Sequence, residues 1–296
     1  MQLSEFTQKG INAAGVRAVV TVCELKTAGN GKPFLAGTLM DPSGVIGFKV
    51  WENTSLMAGL MTSGNAVEIK SGVSDEYQGT VSLKITSVTA LPAEAAETLV
   101  QSAPVSFEKL QAQLDEALKE LQIDEAVDKL KKAGIWDKFL TVPAAKSMHH
   151  AYRHGLLQHS LEVYMHARIM AQMEKDYHDH ELDSKVIGIA ALFHDIGKVY
   201  EYEFNALGLC SGISEYGELL GHHYPSIRIV EKVLGKLVDA RQMMMIAHCI
   251  LSHHGRLEWG ACVVPKTPEA IIVHLSDMAS SQPIGVKDSY KPLYNY

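Results

Sequence analysis

Apolar and polar residues alternate along the N-terminal part of the chain, where β-branched residues are also frequent. Alternation places successive side chains on opposite faces, so it predicts β-strands. Turn-forming residues separate the segments, and Ser55–Met61 has the pattern of a short helix after the third strand. Five strands with one helix between the third and fourth predict an OB-fold barrel. The predicted strands are Val16–Leu25, Phe34–Met40, Val45–Trp51, Val67–Val73 and Thr80–Val88.

The spacing becomes helical further along the chain, beginning at Ser106. Apolar residues recur there every third or fourth position up to about Leu140, which predicts one connector helix over 105–140. Its apolar stripe would pack on the following helices or form a contact in a homo-oligomer. The remaining predicted helices are Leu156–Lys175, Ser184–His194, Ser226–Leu234, Ala240–His254 and Pro268–Ala279.

These patterns predict a multi-domain chain, with a small all-β OB barrel followed by an all-α helical core. The stretch between Pro92 and Pro104 is rich in small residues and contains the expected boundary. We therefore expect an OB-fold domain at 1–95, a helical domain at 105–281 that includes the connector, and an irregular tail at 282–296.

Composition narrows the class of protein only modestly. With 296 residues, 47% of them hydrophobic, the chain can form two cores. Its four cysteines include no Cys-x-x-Cys pair, so we expect reduced thiols and neither a zinc ribbon nor a disulfide framework. The start lacks a signal-peptide pattern and no segment could cross a bilayer, which favours a cytoplasmic protein. A net charge of -7 argues against a generally basic nucleic-acid binder but leaves room for a local basic track.

The strongest chemical signal is an adjacent His194 and Asp195 in the run Leu192–Lys198. Such a pair can offer a nitrogen and a carboxylate to one metal ion, although alone it is also an ordinary buried pair. His159 lies upstream and Asp277 downstream, each within an apolar run of helical character. The pair is therefore part of an ordered series of candidate ligands.

This series, His, then His-Asp, then a distant Asp, resembles the signature of the HD-domain superfamily from about Val142 to Met278. The resemblance implies an all-helical phosphohydrolase core in which His159, His194, Asp195 and Asp277 hold one divalent ion. His222, His253 and His254 would gather around a second ion, with Asp195 bridging the two, and His223 stands beside this set. Imidazole and carboxylate ligands suit manganese, iron, cobalt or zinc, and two such ions can activate water for attack on phosphorus.

Other residues could assist at this site. Lys198 would offer an ammonium group to a phosphate oxygen, unless it is a solvated lysine that stabilises a helix dipole. Arg153 and the pair His149-His150 could clamp a substrate phosphate. His274 lies one turn before Asp277 and could either donate to a ligand carboxylate or simply pack.

Two segments of the first domain, Gly37–Asp41 and Gly44–Trp51, resemble strands two and three of nucleic-acid-binding OB domains. Such domains stack bases on aromatic side chains while lysines follow the phosphates. The candidates are Phe34, Phe48, Lys49 and Trp51. Phe48 and Trp51 must lie on opposite faces of the strand, and we expect Trp51 to face outward; alternatively, both pack inside the protein.

An OB domain followed by an HD domain resembles the YhaM family of bacterial 3'-5' exoribonucleases. The resemblance implies that the chain binds single-stranded RNA or DNA and removes nucleoside 5'-monophosphates from its 3' end, with manganese as the metal. Two alternatives stay open: an HD phosphohydrolase acting on a small nucleotide, with the barrel regulatory, and a nucleic-acid-binding protein without catalysis. From the residues alone, the inference reaches phosphoester hydrolysis on a polynucleotide.

Overall fold

A computed structural model of the chain describes residues 1–146, 150–205 and 207–287. The chain divides into two compact units. The first comprises Met1–Ser102 together with the short segment Phe204–Ser211. The second comprises Ala103–Glu203 and the chain from Gly212 onward. Within the described residues, no helix is long and apolar enough to span a membrane.

The first unit is a closed five-stranded barrel. Its neighbouring strands follow the order β1, β2, β3, β5, β4, with β3 and β5 parallel and the other pairs antiparallel. A short helix, α1 (Thr54–Leu60), lies between β3 and β4. This arrangement confirms the predicted OB-fold barrel. The strands are β1 (Arg17–Thr27), β2 (Pro33–Asp41), β3 (Gly44–Val50), β4 (Ala66–Tyr77) and β5 (Thr80–Ala90).

Alternation along β3 decides which aromatic residue enters the barrel. Phe48 is 2% exposed and belongs to the core cluster of the barrel with Leu39 and Ile69. The prediction that Phe48 contacts nucleic acid is therefore wrong, since its ring is enclosed by the barrel. Lys49 and Trp51 have the opposite parity along the chain and remain partly exposed.

Gly37 in β2 allows a close approach between strands. A Cβ atom at this position would lie 1.9 Å from the backbone oxygen of Val22 and 2.9 Å from the ring of Phe48. The pairing of β1 with β2 is irregular at this place, between Val20 and Val22. The barrel can adopt this local packing only because position 37 carries no side chain.

The predicted connector helix is three helices instead of one. They are α3 (Phe107–Leu121), α4 (Asp124–Lys132) and α5 (Trp136–Thr141). Gln122 ends α3 with a φ of 55°, and Gly134 follows α4 with a φ of 67°. An α-helix cannot continue through a residue with left-handed backbone. The chain therefore turns at Gln122 and at Gly134, although the helical spacing of apolar residues continues in the sequence. The expected boundary segment also contains a helix, α2 (Ala93–Leu99).

The chain from Gly155 onward is helical apart from one hairpin, which includes the segment Phe204–Ser211 of the first unit. Helix α6 packs against α7 and α12, and α11 packs against the same two helices. The expected irregular tail is wrong for residues 282–287, where α12 continues through Pro283; residues 288–296 lie outside the described residues. The elements are α6 (Gly155–His178), α7 (Ser184–Phe193), α8 (Lys198–Glu201), β6 (Tyr202–Phe204), β7 (Cys210–Ile213), α9 (Glu215–Leu220), α10 (His223–Leu234), α11 (Ala240–Ser252) and α12 (Pro268–Lys287).

We predict that Gly37→Ala destabilises the barrel by about 2 kcal/mol, because the added methyl group overlaps the backbone of β1. Hydrogen–deuterium exchange of peptides from β1 and β2 should accelerate, while exchange in α6 should not change. The control is Gly59→Ala in α1, where a Cβ would meet nothing within 4 Å. It should stabilise the helix by roughly 0.5–1 kcal/mol. Equal exchange rates of the β1 and β2 peptides in Gly37→Ala and Gly59→Ala would contradict the predicted overlap with the backbone of β1.

Candidate metal centre

Most candidate ligands of the second unit come from the ends and inner faces of four packed helices, and His222 and His223 lie at the start of α10. His159 lies on the inner face of α6, and His194 and Asp195 follow directly after α7. His253 follows the last residue of α11, and Asp277 lies on α12. His159, His194, Asp195 and His253 are each at most 2% exposed. Residues that are far apart in sequence thus meet because α6, α7, α11 and α12 pack together.

The first group of ligand atoms surrounds one oxygen of Asp195. His159 Nε2 lies 3.4 Å from Asp195 Oδ2 and 3.2 Å from Asp277 Oδ1. His194 Nε2 lies 3.3 Å from the same Asp195 oxygen and 3.2 Å from His159 Nε2. The ligand atoms of His159, His194 and Asp277 all fall within 4.8 Å of one another.

A second group faces the other oxygen of Asp195. His222 Nε2 and His253 Nε2 lie 3.3 Å and 3.6 Å from Asp195 Oδ1. His222, His223, His253 and His254 have ligand atoms within 4.8 Å of one another. Asp195 therefore places one oxygen toward each group, the position that a bridging carboxylate requires.

His223 is the residue that the sequence-based assignment left out of the ligand set. It belongs to the second group together with His222. The signal was the repetition of an adjacent histidine pair, since His253 and His254 form the other pair. Both histidines of each pair belong to one cluster, so the second histidine of a pair is as good a candidate ligand as the first.

The buried polar atoms of the second group fit a divalent cation. Asp195 Oδ1, His222 Nε2, His223 Nε2 and His254 Nδ1 are buried and have no hydrogen-bond partner among the described residues. Burying several unpartnered polar atoms in one place is costly unless they bind something. A set of imidazoles and carboxylates without thiolates is suited to first-row divalent metals. The residues present therefore fit a metal centre.

Electrostatics favour neutral imidazoles and ionised carboxylates, the forms that bind metal. Burial, together with the charges of His222 and His254, lowers the pKa of His223 to about 3. Burial and His194 likewise lower the pKa of His253. Burial opposes ionisation of Asp195, but Lys198 and His194 outweigh it and hold the pKa of this carboxyl well below its usual range.

His159 differs from the other histidines. Burial lowers its pKa, but hydrogen bonds to the carboxylates of Asp195 and Asp277 outweigh burial and raise it to about 9. The pKa of Asp277 is lowered in turn, because His159 and His194 overcome the effect of burial. The two carboxylates thus create a strongly negative position that stabilises a cation beside His159.

Hydrogen bonds at Nδ1 fix three of the rings. His194 Nδ1 donates to Ala191 O at 2.9 Å, and His253 Nδ1 donates to Ile250 O at 2.7 Å. His222 Nδ1 donates to Glu201 Oε2 at 3.0 Å. In each case the proton at Nδ1 leaves the Nε2 lone pair directed at Asp195, as metal-binding histidines require.

A longer chain of hydrogen bonds orients His159. His159 Nδ1 donates to Ser280 Oγ at 2.9 Å, and Ser280 Oγ donates to Glu162 Oε2 at 2.7 Å. Burial raises the pKa of Glu162, but hydrogen bonds from His150, Ser280 and Gln158 lower it to about 2. Sequence reasoning missed Glu162 and Ser280. The available signal for Glu162 was its position three residues after His159, on the same face of α6.

Lys198 lies inside the site. Its Nζ is 2.7 Å from Asp195 Oδ2, and its side chain is 12% exposed. Burial lowers its pKa, but Asp195 outweighs burial and raises the pKa above its usual range, so the side chain stays an ammonium group. As the first residue of α8, it is also at the wrong end of a helix to stabilise the dipole.

The remaining predicted residues have other positions. His274 Nδ1 donates to the backbone oxygen of His253 at 2.7 Å, and not to the carboxylate of Asp277 as the sequence suggested. His150 Nε2 contacts Glu162 Oε2 at 3.1 Å, which makes it a buried support and not a surface clamp. Arg153 accepts a backbone hydrogen bond from Ala103, and within the described residues no ion pair joins its side chain to the ligands. His149 lies outside the described residues.

We predict that Ser280→Ala weakens binding of Mn²⁺ about 10- to 100-fold, because His159 loses the hydrogen bond that orients its ring. Isothermal titration of the metal-stripped protein with MnCl₂ would measure this. Ser276→Ala is the matched control: Ser276 is a buried serine one turn earlier on α12, and its hydroxyl contacts only Met170 among the described residues. Unchanged affinity in Ser280→Ala would show that the ring is held by packing alone.

Comparison with known proteins agrees with this geometry. The HD-domain family model matches residues 156–280, which include both ligand groups. The 3'-5' exoribonuclease YhaM of Oceanobacillus iheyensis is 29% identical over 264 residues, which cover 86% of this chain and 80% of that protein. The OB domain of a Methanosarcina mazei protein, solved by NMR, is 24% identical over 30% of this chain and 80% of its own, with a TM-score of 0.25. Residues 156–280 therefore match the HD-domain family, and the chain, with a five-stranded barrel preceding those residues, is similar over most of its length to a YhaM exoribonuclease.

Proposed function

We propose that this protein is a metal-dependent 3'-5' exonuclease that hydrolyses single-stranded RNA to nucleoside 5'-monophosphates. The observation that carries the proposal is the placement of Asp195 between two groups of buried ligand atoms, one facing each oxygen. The similarity to a 3'-5' exoribonuclease over most of the chain supports the choice of substrate and direction. We propose single-stranded DNA as a second substrate, since OB-folds bind single strands mainly by stacking bases on aromatic side chains.

The two ligand groups would each hold a divalent ion, and we propose manganese. His159, His194, Asp195 and Asp277 would hold the first, and His222, His223, His253 and His254, with Asp195, the second. When bound, such ions lower the pKa of water and neutralise charge on phosphoryl oxygens. In the first group, the Ser280 hydroxyl orients His159 and the Ala191 carbonyl orients His194, which reduces the cost of ordering these rings.

The protein's own residues would orient the substrate and exclude water from the site. Lys198 carries a buried ammonium whose donors lie beside Asp195, where a substrate phosphate would enter. In this low-dielectric position a fixed positive charge stabilises the additional negative charge that develops on a phosphoryl oxygen. Hydrogen bonds that His159 Nε2 donates to Asp195 and Asp277 keep its ring directed at the same point.

The barrel would bind the strand through an aromatic and basic surface. Phe34 and Trp51 stack with ring centroids 4.3 Å apart, and Lys49 lies over the ring of Tyr77 at 5.4 Å. Stacked aromatic rings and lysines are the groups that OB-folds use to bind bases and phosphates. Lys84 is paired with Lys49 across β3 and β5, which adds positive charge to this surface.

We predict that Asp195→Ala abolishes RNA shortening and removes bound metal, since it deletes the residue shared by both groups. Loss of several kcal/mol of transition-state stabilisation corresponds to a rate about a thousandfold lower. A 5'-labelled single-stranded RNA incubated with Mn²⁺ should give a ladder of shortened labelled products, while elemental analysis measures metal content. Asp176→Ala, on the exposed face of α6, is the control. If the wild-type protein leaves the RNA intact but hydrolyses a mononucleotide, the protein is a small-nucleotide phosphohydrolase.

We predict that the double variant Lys49→Ala and Trp51→Ala raises KM for a long RNA while sparing hydrolysis of bis(p-nitrophenyl) phosphate. Loss of one stacked base costs about 1–3 kcal/mol, so KM should rise at least about fivefold. The control is Lys70→Ala with Leu56→Ala, two exposed positions of the same unit. Equal losses on both substrates would contradict a separate binding role for the barrel.

A further inference from the structure

A tyrosine-lined pocket of about 740 Å³ lies in the helical unit, formed by α4, α8, α9 and α10. Tyr200, Tyr216 and Tyr224 line it, and each leaves 41–46% of its surface exposed. We refer to it as the tyrosine pocket. Its volume is within the range of ordinary ligand sites, and partly exposed aromatic side chains that lie together in one pocket are typical of a binding site.

The tyrosine pocket is positively charged. The charged side chains in its lining are Lys129, Arg228 and Lys232, all of them cationic. Lys129 is partly neutralised by Glu125 at 2.8 Å, whereas no described carboxylate forms an ion pair with Arg228 or Lys232. In a chain with a net charge of -7, this local excess of positive charge favours an anionic ligand.

The arrangement of the rings suits a flat ligand. The rings of Tyr200 and Tyr216 are 6.2 Å apart and inclined by 48°, so they are not stacked face to face. The guanidinium of Arg228 lies 5.9 Å from the ring of Tyr224 and donates a long hydrogen bond of 3.4 Å to its hydroxyl. Aromatic faces beside an arginine and lysines are the combination that binds the bases and phosphates of single strands.

Residues of the tyrosine pocket are close in sequence to residues of the candidate metal centre. Tyr200 is two residues beyond Lys198, and Tyr224 is the residue after His223. Glu201, next to Tyr200, accepts the hydrogen bond that orients His222. Tyr224 therefore adjoins a candidate metal ligand directly, whereas Tyr200 follows the candidate ligand Asp195 by five residues.

We propose that the tyrosine pocket is a second binding site for the polynucleotide substrate, holding bases of the strand that lead into the metal centre. This inference rests on the proposed function and extends it. Such a site accounts for the lining of the pocket, in which three tyrosines meet three cationic side chains and no carboxylate.

Photocrosslinking tests this site directly. Full-length protein carrying Asp195→Asn would be irradiated with RNAs that contain one 5-iodouridine at successive positions from the 3' end. The crosslinked peptide would then be identified by mass spectrometry. We expect a crosslink to Tyr200, Tyr216 or Tyr224 from positions close to the 3' end, and crosslinks to the barrel from positions further away.

Kinetics of the otherwise wild-type enzyme give a second readout. Tyr216 and Arg228 are suitable targets because neither adjoins a metal ligand in sequence. Tyr216→Ala and Arg228→Ala should each raise KM for RNA about tenfold with little change in kcat, and Tyr216→Phe should restore the KM, because the ring is retained. Tyr177→Ala and Arg241→Ala, both exposed and outside the pocket, are the matched controls.

The outcomes separate this inference from the proposed function. If wild-type protein shortens RNA but crosslinks form only in the barrel and the pocket variants keep a normal KM, the pocket proposal is overturned and the nuclease assignment stands. If wild-type protein neither shortens RNA nor crosslinks to it, both are overturned. A tyrosine crosslink together with the raised KM supports the pocket proposal.

Discussion

The helical unit depends on one buried carboxylate, Asp195. Both of its oxygens are surrounded by imidazole nitrogens, and Lys198 contributes an ammonium on one side. A buried charge of this kind is costly unless it is compensated from several directions. The helices α6, α7, α11 and α12 pack in the arrangement that supplies this compensation. The same helix packing therefore sets the geometry of the candidate metal centre and compensates the buried charge of Asp195.

Much of the architecture could be predicted from local pattern. Alternation predicted the barrel, since residues such as Val50 face one way and Lys49 the other, and helical spacing predicted α6, α7, α10, α11 and α12. The same rules could not find the turns at Gln122 and Gly134, because the apolar stripe continues through both. A glutamine in left-handed backbone carries no distinctive signal in a single sequence.

The candidate site was less accessible to sequence reasoning than the fold. The ordered series from His159 to Asp277 predicted most of the side chains that the structure brings together, because metal chemistry restricts which residue types can serve as ligands. Glu162 and Ser280 were missed because their role depends on distances between α6 and α12 that no local pattern encodes. The sequence left His274 either to donate to a ligand carboxylate or to pack, and it could not indicate the acceptor that the structure shows, the backbone oxygen of His253.

Helix α12 contacts the centre at three places spaced three residues apart. His274 bonds the backbone of His253, Asp277 faces His159, and Ser280 links His159 to Glu162. One face of α12 therefore carries the candidate ligand Asp277. It also carries His274 and Ser280, which bond the candidate ligands His253 and His159. A rotation or register shift of α12 would disturb all three contacts at once. Any fragment of this protein that ends before Ser280 would retain most of the ligands yet lack the element that aligns them.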